Sequence, residues 1–410
     1  MDQIQTILQK YVAVGDDTKE KLLGAEFMVI SKDVSLRLMQ GPQLQASAGR
    51  VDVPQDSSPF DQDTFTFVAS MTKLVSATAI MLAVERGFLN LNDDMRSVVP
   101  ELGRLQILRG FDDKDQPILE DNTAPITLRT LLTHCAGLGY DLAHPDLMKW
   151  SKFVGRTATS ADISLDGYSV PFKFTPGQGF CYGPALDFAG QALERVTGKT
   201  LGQFMAENIW KPLGMNTTTF RYDTFGDKVS HRTAGTVLRT ETGALVSGEF
   251  PLNRHPTIDG AGAGLYTTAS DYAKVLQDLL RSSAGLGGIL KKETVDEMFR
   301  PQLNEVQRQS LMAEAYAPEW YAALVPEFSK DLPLDHGISG VINMKDEPGK
   351  RKKGSMMWSG LANSHWWIDR ESGIAGLLFV NVLPHGDKVA IRLYDELERA
   401  VYGDWQLVSK

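Results

Sequence analysis

The sequence is poor in cysteine, has no excess of positive charge and contains no apolar run long enough to cross a membrane. Its two cysteines, Cys135 and Cys181, lie far apart and match no metal-binding spacing. Two isolated thiols favour a reducing, cytoplasmic setting over a disulfide-linked, secreted one. The net charge of −9 argues against nucleic acid or an anionic membrane as a main partner. The longest apolar run, IAGLLFV from residue 374, has only the length of a strand.

Motifs of several enzyme classes are also missing. There is no H-E-x-x-H zinc motif, no phosphate-binding P-loop and no G-x-S-x-G turn, and the last absence disfavours an α/β-hydrolase. The glycine-rich segment 260–264 follows no apolar strand, so we expect it to let the backbone pass close to the active site, not to bind a dinucleotide. The first twelve residues predict an amphipathic helix and lack the pattern of a signal peptide. We therefore expect neither a metal nor a cofactor.

What the sequence does contain is typical of a soluble enzyme, with 42% hydrophobic and 23% charged residues. Apolar runs predict strands at 25–31, 34–40 and 64–68, and again at 354–360, 363–369 and 374–382. Helical patterns cover 70–86, which Gly87 ends, and then 126–134, 182–198 and 388–403.

This distribution predicts an α/β protein of the α+β type. Strands at both ends of the chain suggest a central antiparallel sheet formed by the N- and C-terminal segments and flanked by helices. We assign residues 1–89 and 265–410 to this sheet domain, and residues 90–264 to a mostly helical inserted domain. The active site is expected in the cleft between them, since binding sites favour domain interfaces.

The tetrad Ser70-Met71-Thr72-Lys73 is the strongest chemical signal. Residues three apart share a helix face, so the Ser70 hydroxyl and the Lys73 amine would point the same way. A serine at a helix N-terminus also meets free backbone N–H groups that favour developing negative charge. S-x-x-K alone is a loose pattern that occurs by chance. The apolar helix that follows it favours a lysine held in a cleft, as covalent acyl transfer requires.

A nucleophilic serine also needs a base and donors for the oxyanion. Tyr182 opens a predicted helix, and a nearby ammonium would favour its phenolate, so Tyr182 and Lys73 could share the Ser70 proton. The alternative is that Tyr182 only packs. Trp358-Ser359-Gly360 ends a late strand that could supply one backbone N–H beside that of Ser70. Here the alternative is a β-hairpin with a core tryptophan.

Other polar groups remain less well defined. We expect His134 to be structural, while His365 and His385 fall near the late strands and could reach the cleft. The basic run 350–353 reads as a solvated turn, or as a guide for an anionic acyl carrier or coenzyme A.

Taken together, these motifs resemble the serine β-lactamase and penicillin-binding family, and most of all its class C branch with the related esterases. The resemblance extends over about residues 20–400 and includes LLTHCAGL (131–138), TPGQGFCYGPALDFAG (175–190), PLGM (212–215) and GAGLYTTASDYAKVL (262–276). Within the family, the segment RGFDDKDQPILEDNTAPITLRTLLTHCAGLGY and the later RKKGS look like fungal polyketide-pathway transesterases of the lovastatin type.

The resemblance implies a role for each site residue. Ser70 would be the nucleophile, Lys73 and Tyr182 the activating pair, and the N–H groups of Ser70 and Leu361 the oxyanion hole. Substrate-binding residues would be Trp358, Ser359 and Gly360.

The chain also departs from the family pattern. The asparagine expected two residues after the tyrosine is Pro184, and the lysine of the late strand is Trp358. Both losses argue against β-lactams and D-Ala-D-Ala peptides, and favour uncharged esters or thioesters in a more apolar pocket.

The resulting hypothesis is a serine acyltransferase of fungal secondary metabolism. It would move an acyl group from a small ester or thioester to an alcohol through an acyl-Ser70 intermediate, with an acyl carrier protein or coenzyme A thioester as a further possible donor. The alternative is a carboxylesterase of the same fold, which would use water in place of the alcohol. A β-lactamase, a D-Ala-D-Ala peptidase and a catalytically silent binding protein are less favoured.

Overall fold

The computed structural model describes residues 2–32 and 43–408. Its strands are β1 (Gly24–Ser31), β2 (Gln43–Gly49), β3 (Thr66–Phe67), β4 (Gln106–Phe111), β5 (Pro117–Asp121), β6 (Val237–Arg239), β7 (Leu245–Ser247), β8 (Tyr266–Thr267), β9 (Leu334–His336), β10 (Val341–Asn343), β11 (Met356–Ser359), β12 (His365–Asp369) and β13 (Ile374–Val380).

The helices are α1 (Asp2–Tyr11), α2 (Thr72–Glu85), α3 (Leu128–Leu132), α4 (Pro145–Phe153), α5 (Leu165–Tyr168), α6 (Ala185–Thr197), α7 (Leu201–Met205), α8 (Lys211–Leu213), α9 (Asp227–Ser230), α10 (Ala269–Ser283), α11 (Lys292–Phe299), α12 (Glu305–Ala315), α13 (Pro318–Leu324) and α14 (Lys388–Val408). A π-helical turn, Ala206–Trp210, joins α7 to α8.

A seven-stranded antiparallel sheet joins the two ends of the chain. Its strand order is β2-β1-β13-β12-β11-β10-β9. β1 pairs with β13 from Ala25 opposite Val380 to Ser31 opposite Ile374. Every residue of both strands is buried, as expected for strands covered on both faces. The α+β class and the sheet built from both termini are thus confirmed.

The two faces of the sheet are covered by different helices. Tyr272 of α10 contacts Phe379 of β13, while Tyr394 of α14 stacks on His365 of β12. His365 is paired with Leu378, which directly precedes Phe379 in β13. Successive strand residues point to opposite faces, so Phe379 and His365 do so too. The helices α10 and α14 therefore lie on opposite sides of the sheet.

A glycine permits one close contact within the sheet. Gly376 is directly opposite Trp367, and a Cβ at this position would lie 1.8 Å from the Trp367 ring. Any larger residue at 376 would displace the indole, so the sheet requires glycine there.

Helix α2 crosses the centre of the molecule. Each residue from Thr72 to Ala83 is buried, including Lys73. A helix that is apolar on all sides is expected to be surrounded by protein, and α2 fits that expectation. Arg86 and Gly87 follow it, and Gly87 has a φ of +77°, as predicted for a left-handed end of the helix.

The observed elements refine several predictions. The strand predicted at 64–68 is the short β3, which pairs with β8 outside the large sheet. The strand predicted at 34–40 lies outside the described residues. Strands β9 and β10, and the hairpins β4-β5 and β6-β7 within 90–264, were not predicted. The division into domains at residues 89 and 264 stays a prediction.

The described residues include no helix that is both long and apolar enough to span a membrane. Both cysteines are buried free thiols. Burial raises the pKa of the Cys135 thiol to about 12, which disfavours the reactive thiolate.

Candidate active site

Ser70 lies in a tight turn that leads into α2. Ala69, just before it, has a φ of +45°, which is unusual for a residue other than glycine. The Thr72 hydroxyl holds the turn, since it donates to the Ala69 carbonyl at 2.5 Å and accepts the Leu265 N–H at 3.0 Å. The turn is therefore fixed from both sides, and it presents Ser70 at the start of the helix.

Lys73 is 1% exposed, and its ammonium group meets three oxygen atoms. Its Nζ donates to Ser70 Oγ at 3.1 Å, to the Gly262 carbonyl at 2.7 Å and to Tyr140 Oη at 3.2 Å. Within the described residues it forms no ion pair with a carboxylate. An ammonium has three N–H donors, so this arrangement satisfies it with neutral acceptors alone.

Tyr182 is on the other side of Ser70, and its Oη lies 2.6 Å from Ser70 Oγ. The Trp358 indole N–H donates to the same Tyr182 oxygen at 3.2 Å. The Lys73 ammonium lies 4.8 Å from the centroid of the Tyr182 ring. The tyrosine oxygen therefore contacts Ser70 Oγ and one indole N–H, and a cation lies over its ring.

Tyr140 is a site residue that the sequence analysis missed. Its hydroxyl contacts Lys73, and its ring meets the Tyr182 ring edge to face at a centroid distance of 5.6 Å. Burial, followed by the charges of Tyr182 and Asp187, raises the pKa of Tyr140 well above its ordinary value, so its phenol stays neutral. Tyr140 lies five residues after Cys135 and belongs to no motif of its own. Only the fold brings it to Lys73.

The glycine-rich segment passes close to the site, as expected. Gly262 accepts from Lys73 through its carbonyl and donates its N–H to Asp187 Oδ1 at 3.0 Å. A Cβ on Gly262 would lie 2.4 Å from an Asp187 oxygen, so only glycine fits. Burial raises the pKa of Asp187 to about 6, against the opposing effects of the Gly262 N–H and Lys73. Asp187 is a second residue that sequence motifs did not reveal.

The end of β11 lies against the turn that carries Ser70. A Cβ on Gly360 would come within 2.4 Å of the Val68 carbonyl oxygen, so the two backbones touch. Ser70 follows Val68 by two positions, and Leu361 directly follows Gly360. The two predicted oxyanion donors therefore belong to segments that are in contact.

Residues 358 and 359 point to opposite faces of the sheet. Trp358 faces Tyr182 and is 3% exposed. The Ser359 hydroxyl instead donates to the Ala323 carbonyl at 3.2 Å and lies 3.1 Å from His385 Nε2. Successive side chains of a strand alternate between the two faces, so the Ser359 side chain points away from Tyr182. A substrate beside Tyr182 could contact Ser359 only through its backbone.

In the part of the chain that the structure describes, His134, His365 and His385 make no hydrogen bond to Ser70. His134 packs edge to face on Tyr182 at 4.9 Å, and burial holds the pKa of its imidazole well below the ordinary value, so it is a neutral structural group. His365 stacks on Tyr394 at 4.3 Å on the far face of the sheet. His385 contacts Ser359 there, and burial lowers its pKa to about 4.

The first half of the basic run 350–353 is buried, so the prediction of a solvated turn is wrong for Lys350 and Arg351. Lys350 is 1% exposed at its side chain and lies 2.6 Å from Asp395, while Arg351 lies 2.7 Å from Glu398. Both acids belong to α14, which brings them to the run from a distant part of the sequence. Only Lys352 and Lys353 remain at the surface.

Among the residues that the structure describes, no group of three or more histidine, cysteine or acidic side chains could hold a metal ion.

Comparison with known proteins gives a consistent result. The Beta-lactamase family model matches residues 17–400. Acyltransferase calJ of Penicillium decumbens is 31% identical over 382 residues, which cover 92% of this chain and 90% of that protein. Lovastatin esterase of Penicillium rubens is 31% identical over 356 residues, which cover 84% of this chain and 87% of the esterase. The unliganded simvastatin synthase from Aspergillus terreus has 29% identity and a TM-score of 0.83, with 98% of each chain covered.

Proposed function

Because the chain belongs to the beta-lactamase family, we propose that it transfers an acyl group from an ester or thioester to an alcohol through an ester on Ser70. The protein is an enzyme of the acyl-transfer and ester-hydrolysis class, like its relatives. One observation carries the proposal: Ser70 Oγ is within hydrogen-bonding distance of both Lys73 Nζ and Tyr182 Oη. A serine with two such partners can lose its proton as it attacks.

In the first half of the proposed reaction, the Ser70 proton passes to the Tyr182–Lys73 pair while Oγ bonds to the carbonyl carbon. The carbonyl oxygen becomes an oxyanion that the N–H groups of Ser70 and Leu361 stabilise. The bond to the leaving oxygen or sulfur then breaks, and that atom takes the proton from the pair. The acyl group remains on Ser70.

In the second half, an alcohol gives its proton to the same pair and attacks the Ser70 ester. Collapse of this second tetrahedral intermediate releases the product ester, and Ser70 regains its proton. If water attacks instead, the products are a free acid and the resting enzyme.

The family resemblance and the structure also support proposals about the substrate class, the pathway, the location and the acyl donor. Trp358 replaces the lysine that would bind a substrate carboxylate near the scissile bond, so β-lactams and D-Ala-D-Ala peptides are disfavoured. The relatives named here are fungal, which supports a role in fungal secondary metabolism. Two free buried thiols support a cytoplasmic location. An acyl carrier protein or coenzyme A as donor would meet only two exposed lysines in the 350–353 run.

The acyl-enzyme test is the most direct one. The protein is mixed with S-butanoyl-N-acetylcysteamine and its intact mass is measured over time. We expect one added butanoyl group in the wild type and none in Ser70→Ala. Ser76→Ala is the matched control, since Ser76 is also buried in α2 and its hydroxyl makes no hydrogen bond to the described residues. An adduct that persists in Ser70→Ala, or none in the wild type, would contradict the proposal.

A second measurement separates transfer from hydrolysis. Primary and secondary alcohols are added to the same reaction, and the butanoyl ester and butanoic acid are quantified together. Transfer predicts more ester than acid at millimolar alcohol, far below the concentration of water. Acid alone with every alcohol would assign the protein as an esterase, as lovastatin esterase is named.

A further inference from the structure

A cavity of about 230 Å³ opens beside Leu361, the proposed oxyanion donor. Its walls include the aromatic residues Phe67, Tyr222, Phe250 and Tyr266. Phe67 precedes the nucleophile by three positions and Leu361 lies across from it, so the cavity adjoins the catalytic groups. Its volume is below the range for drug-sized ligands and suits one ring or a short chain.

Among the described residues that line this cavity, Arg254 alone has a cationic side chain. Its guanidinium carbon lies 4.7 Å from the centroid of the Tyr222 ring and 4.5 Å from that of Phe250. Two cation–π contacts therefore hold the planar group in place. Within the described residues, the guanidinium makes no hydrogen bond and no ion pair. Its N–H donors thus have no protein acceptor.

The acids nearby already have other partners. Asp259 pairs with Arg221 at 2.6 Å, and Asp223 lies 3.5 Å from His255. Asp52 lines the cavity, but one of its oxygens accepts the N–H of Val53 at 2.7 Å. An arginine that is fixed in orientation and makes no ion pair with these acids is available to an anion from outside the protein.

A neutral donor accompanies this cation. Tyr266 is 5% exposed and lines the cavity, and its hydroxyl has no hydrogen-bond partner within the described parts of the chain. Burial raises the pKa of this phenol well above its ordinary value, so the hydroxyl keeps its proton. The cavity therefore combines aromatic walls with one charged and one neutral donor.

We propose that this cavity binds a carboxylate-bearing part of the substrate, with its apolar segment between the aromatic rings and its carboxylate on Arg254. The planar guanidinium fork matches a carboxylate with two parallel hydrogen bonds. This inference rests on the proposed function, because Leu361 links the cavity to the reacting carbonyl. It also changes the expected substrate. The family's late-strand lysine is Trp358 in this chain, and Arg254 would bind the carboxylate from outside that strand.

Binding of a compound that cannot react tests the cavity independently of catalysis. Titration calorimetry compares 4-phenylbutyrate with 4-phenylbutanamide, which differ in charge and share one apolar part. We expect the wild type to bind the acid about tenfold more tightly than the amide, since a partly exposed charged hydrogen bond contributes on that order. Arg254→Gln should remove the difference, and Arg254→Lys should keep only part of it because lysine lacks the fork.

Arg104→Gln is the matched control, because Arg104 is exposed and does not line the cavity. It should bind both compounds as the wild type does. Thermal unfolding verifies that each variant is folded. The proposal is overturned if the wild type does not bind the acid or does not prefer it, or if Arg254→Gln keeps the preference.

Matched esters then show which half of the substrate carries the carboxylate. For the acyl half, kcat/KM is compared for mono-4-nitrophenyl glutarate and 4-nitrophenyl butanoate. For the alcohol half, the butanoyl ester of 4-hydroxybutyrate is compared with its methyl ester. A preference that Arg254→Gln abolishes in one pair identifies that half. No turnover of any ester together with intact binding of 4-phenylbutyrate would reject the proposed function and retain the binding site.

Discussion

Two buried cationic clusters lie on opposite faces of the same sheet, and they are stabilised differently. Arg351 contacts Glu398 at 2.7 Å and the Tyr394 hydroxyl at 2.9 Å, so its charge is matched by a carboxylate. Within the described residues, the Lys73 ammonium donates its hydrogen bonds to hydroxyl and carbonyl oxygens alone. A direct ion pair stabilises the charged form of both partners, whereas neutral acceptors stabilise an ammonium less. The difference suggests which buried charge serves the fold and which serves chemistry.

The comparison predicts the largest effect for Lys73→Met. Removal of the ammonium takes away the cation beside Ser70 Oγ and the Tyr182 ring, so under the proposed mechanism kcat should fall by about 10³-fold, within the range for general acid–base catalysis. Stability should change little, because methionine fills a similar volume and no direct ion pair of Lys73 within the described residues is broken. The acyl-transfer rate and the thermal midpoint are measured together, with exposed Lys152→Met as control. Near-normal turnover would remove Lys73 from the mechanism.

Glu398→Gln should have the opposite profile. Loss of one partner leaves Arg351 buried with incomplete charge compensation, so the free energy of unfolding should decrease by about 3 kcal/mol. Glu327, 3.7 Å from Arg351, can offset part of this loss. Urea unfolding measures the stability, and kcat is measured well below the midpoint. A folded variant whose kcat is reduced would show that the two faces are coupled.

Tyr140→Phe tests the neutral acceptors around Lys73. The change removes one hydrogen bond to the ammonium and keeps the ring in place, so we expect kcat to fall about tenfold. KM and the thermal midpoint should stay close to those of the wild type. Tyr11→Phe is the matched control, since its hydroxyl bonds to Glu396 at 2.8 Å away from the site. An unchanged kcat would mean that Ser70 and Gly262 alone position the lysine.

Glu26 gives the smallest expected effect, and it extends the comparison to a buried acid. Burial, and then the charge of Asp61, raises the pKa of Glu26 from its ordinary 4.5 to about 9, although Gln45 opposes this. Between these pH values the folded state binds more protons than the unfolded state, so stability falls as pH rises.

Glu26→Gln cannot ionise and should lack this decline. The variant should match the wild type near pH 4 and exceed its unfolding free energy by about 1–2 kcal/mol at pH 8. Chemical unfolding at several pH values measures the gap, with exposed Glu241→Gln as control. A gap that does not grow with pH would mean that Glu26 ionises in the fold with a stabilising partner.

The sequence was sufficient for features that depend on local pattern. The apolar runs of β1 and β13 and the glycine end of α2 were each predicted close to where they lie. The tetrad and Tyr182 also meet as expected, because their spacing and motifs are specific; their catalytic roles remain proposals.

Features that depend on distant partners could not be read from the sequence. Tyr140 reaches Lys73 only through the path of the chain after Cys135. The run at 350–353 looks solvated until the acids of α14 are placed opposite it. Short strands such as β9 and β10 have too few residues for a clear period of two. In each case the missing information was which segments become neighbours.

The pairing of β1 with β13 has a consequence for biosynthesis. Ser31 can pair with Ile374 only after residue 374 has left the ribosome, so the central sheet closes late in translation. The contact between the end of β11 and the Ser70 turn also forms late. The early segments therefore spend most of translation with unpaired strand edges, where they are open to chaperones and to aggregation. An interrupted chain would carry Ser70 without Leu361, the proposed second oxyanion donor, so under the proposed mechanism only nearly complete translation yields an active catalyst.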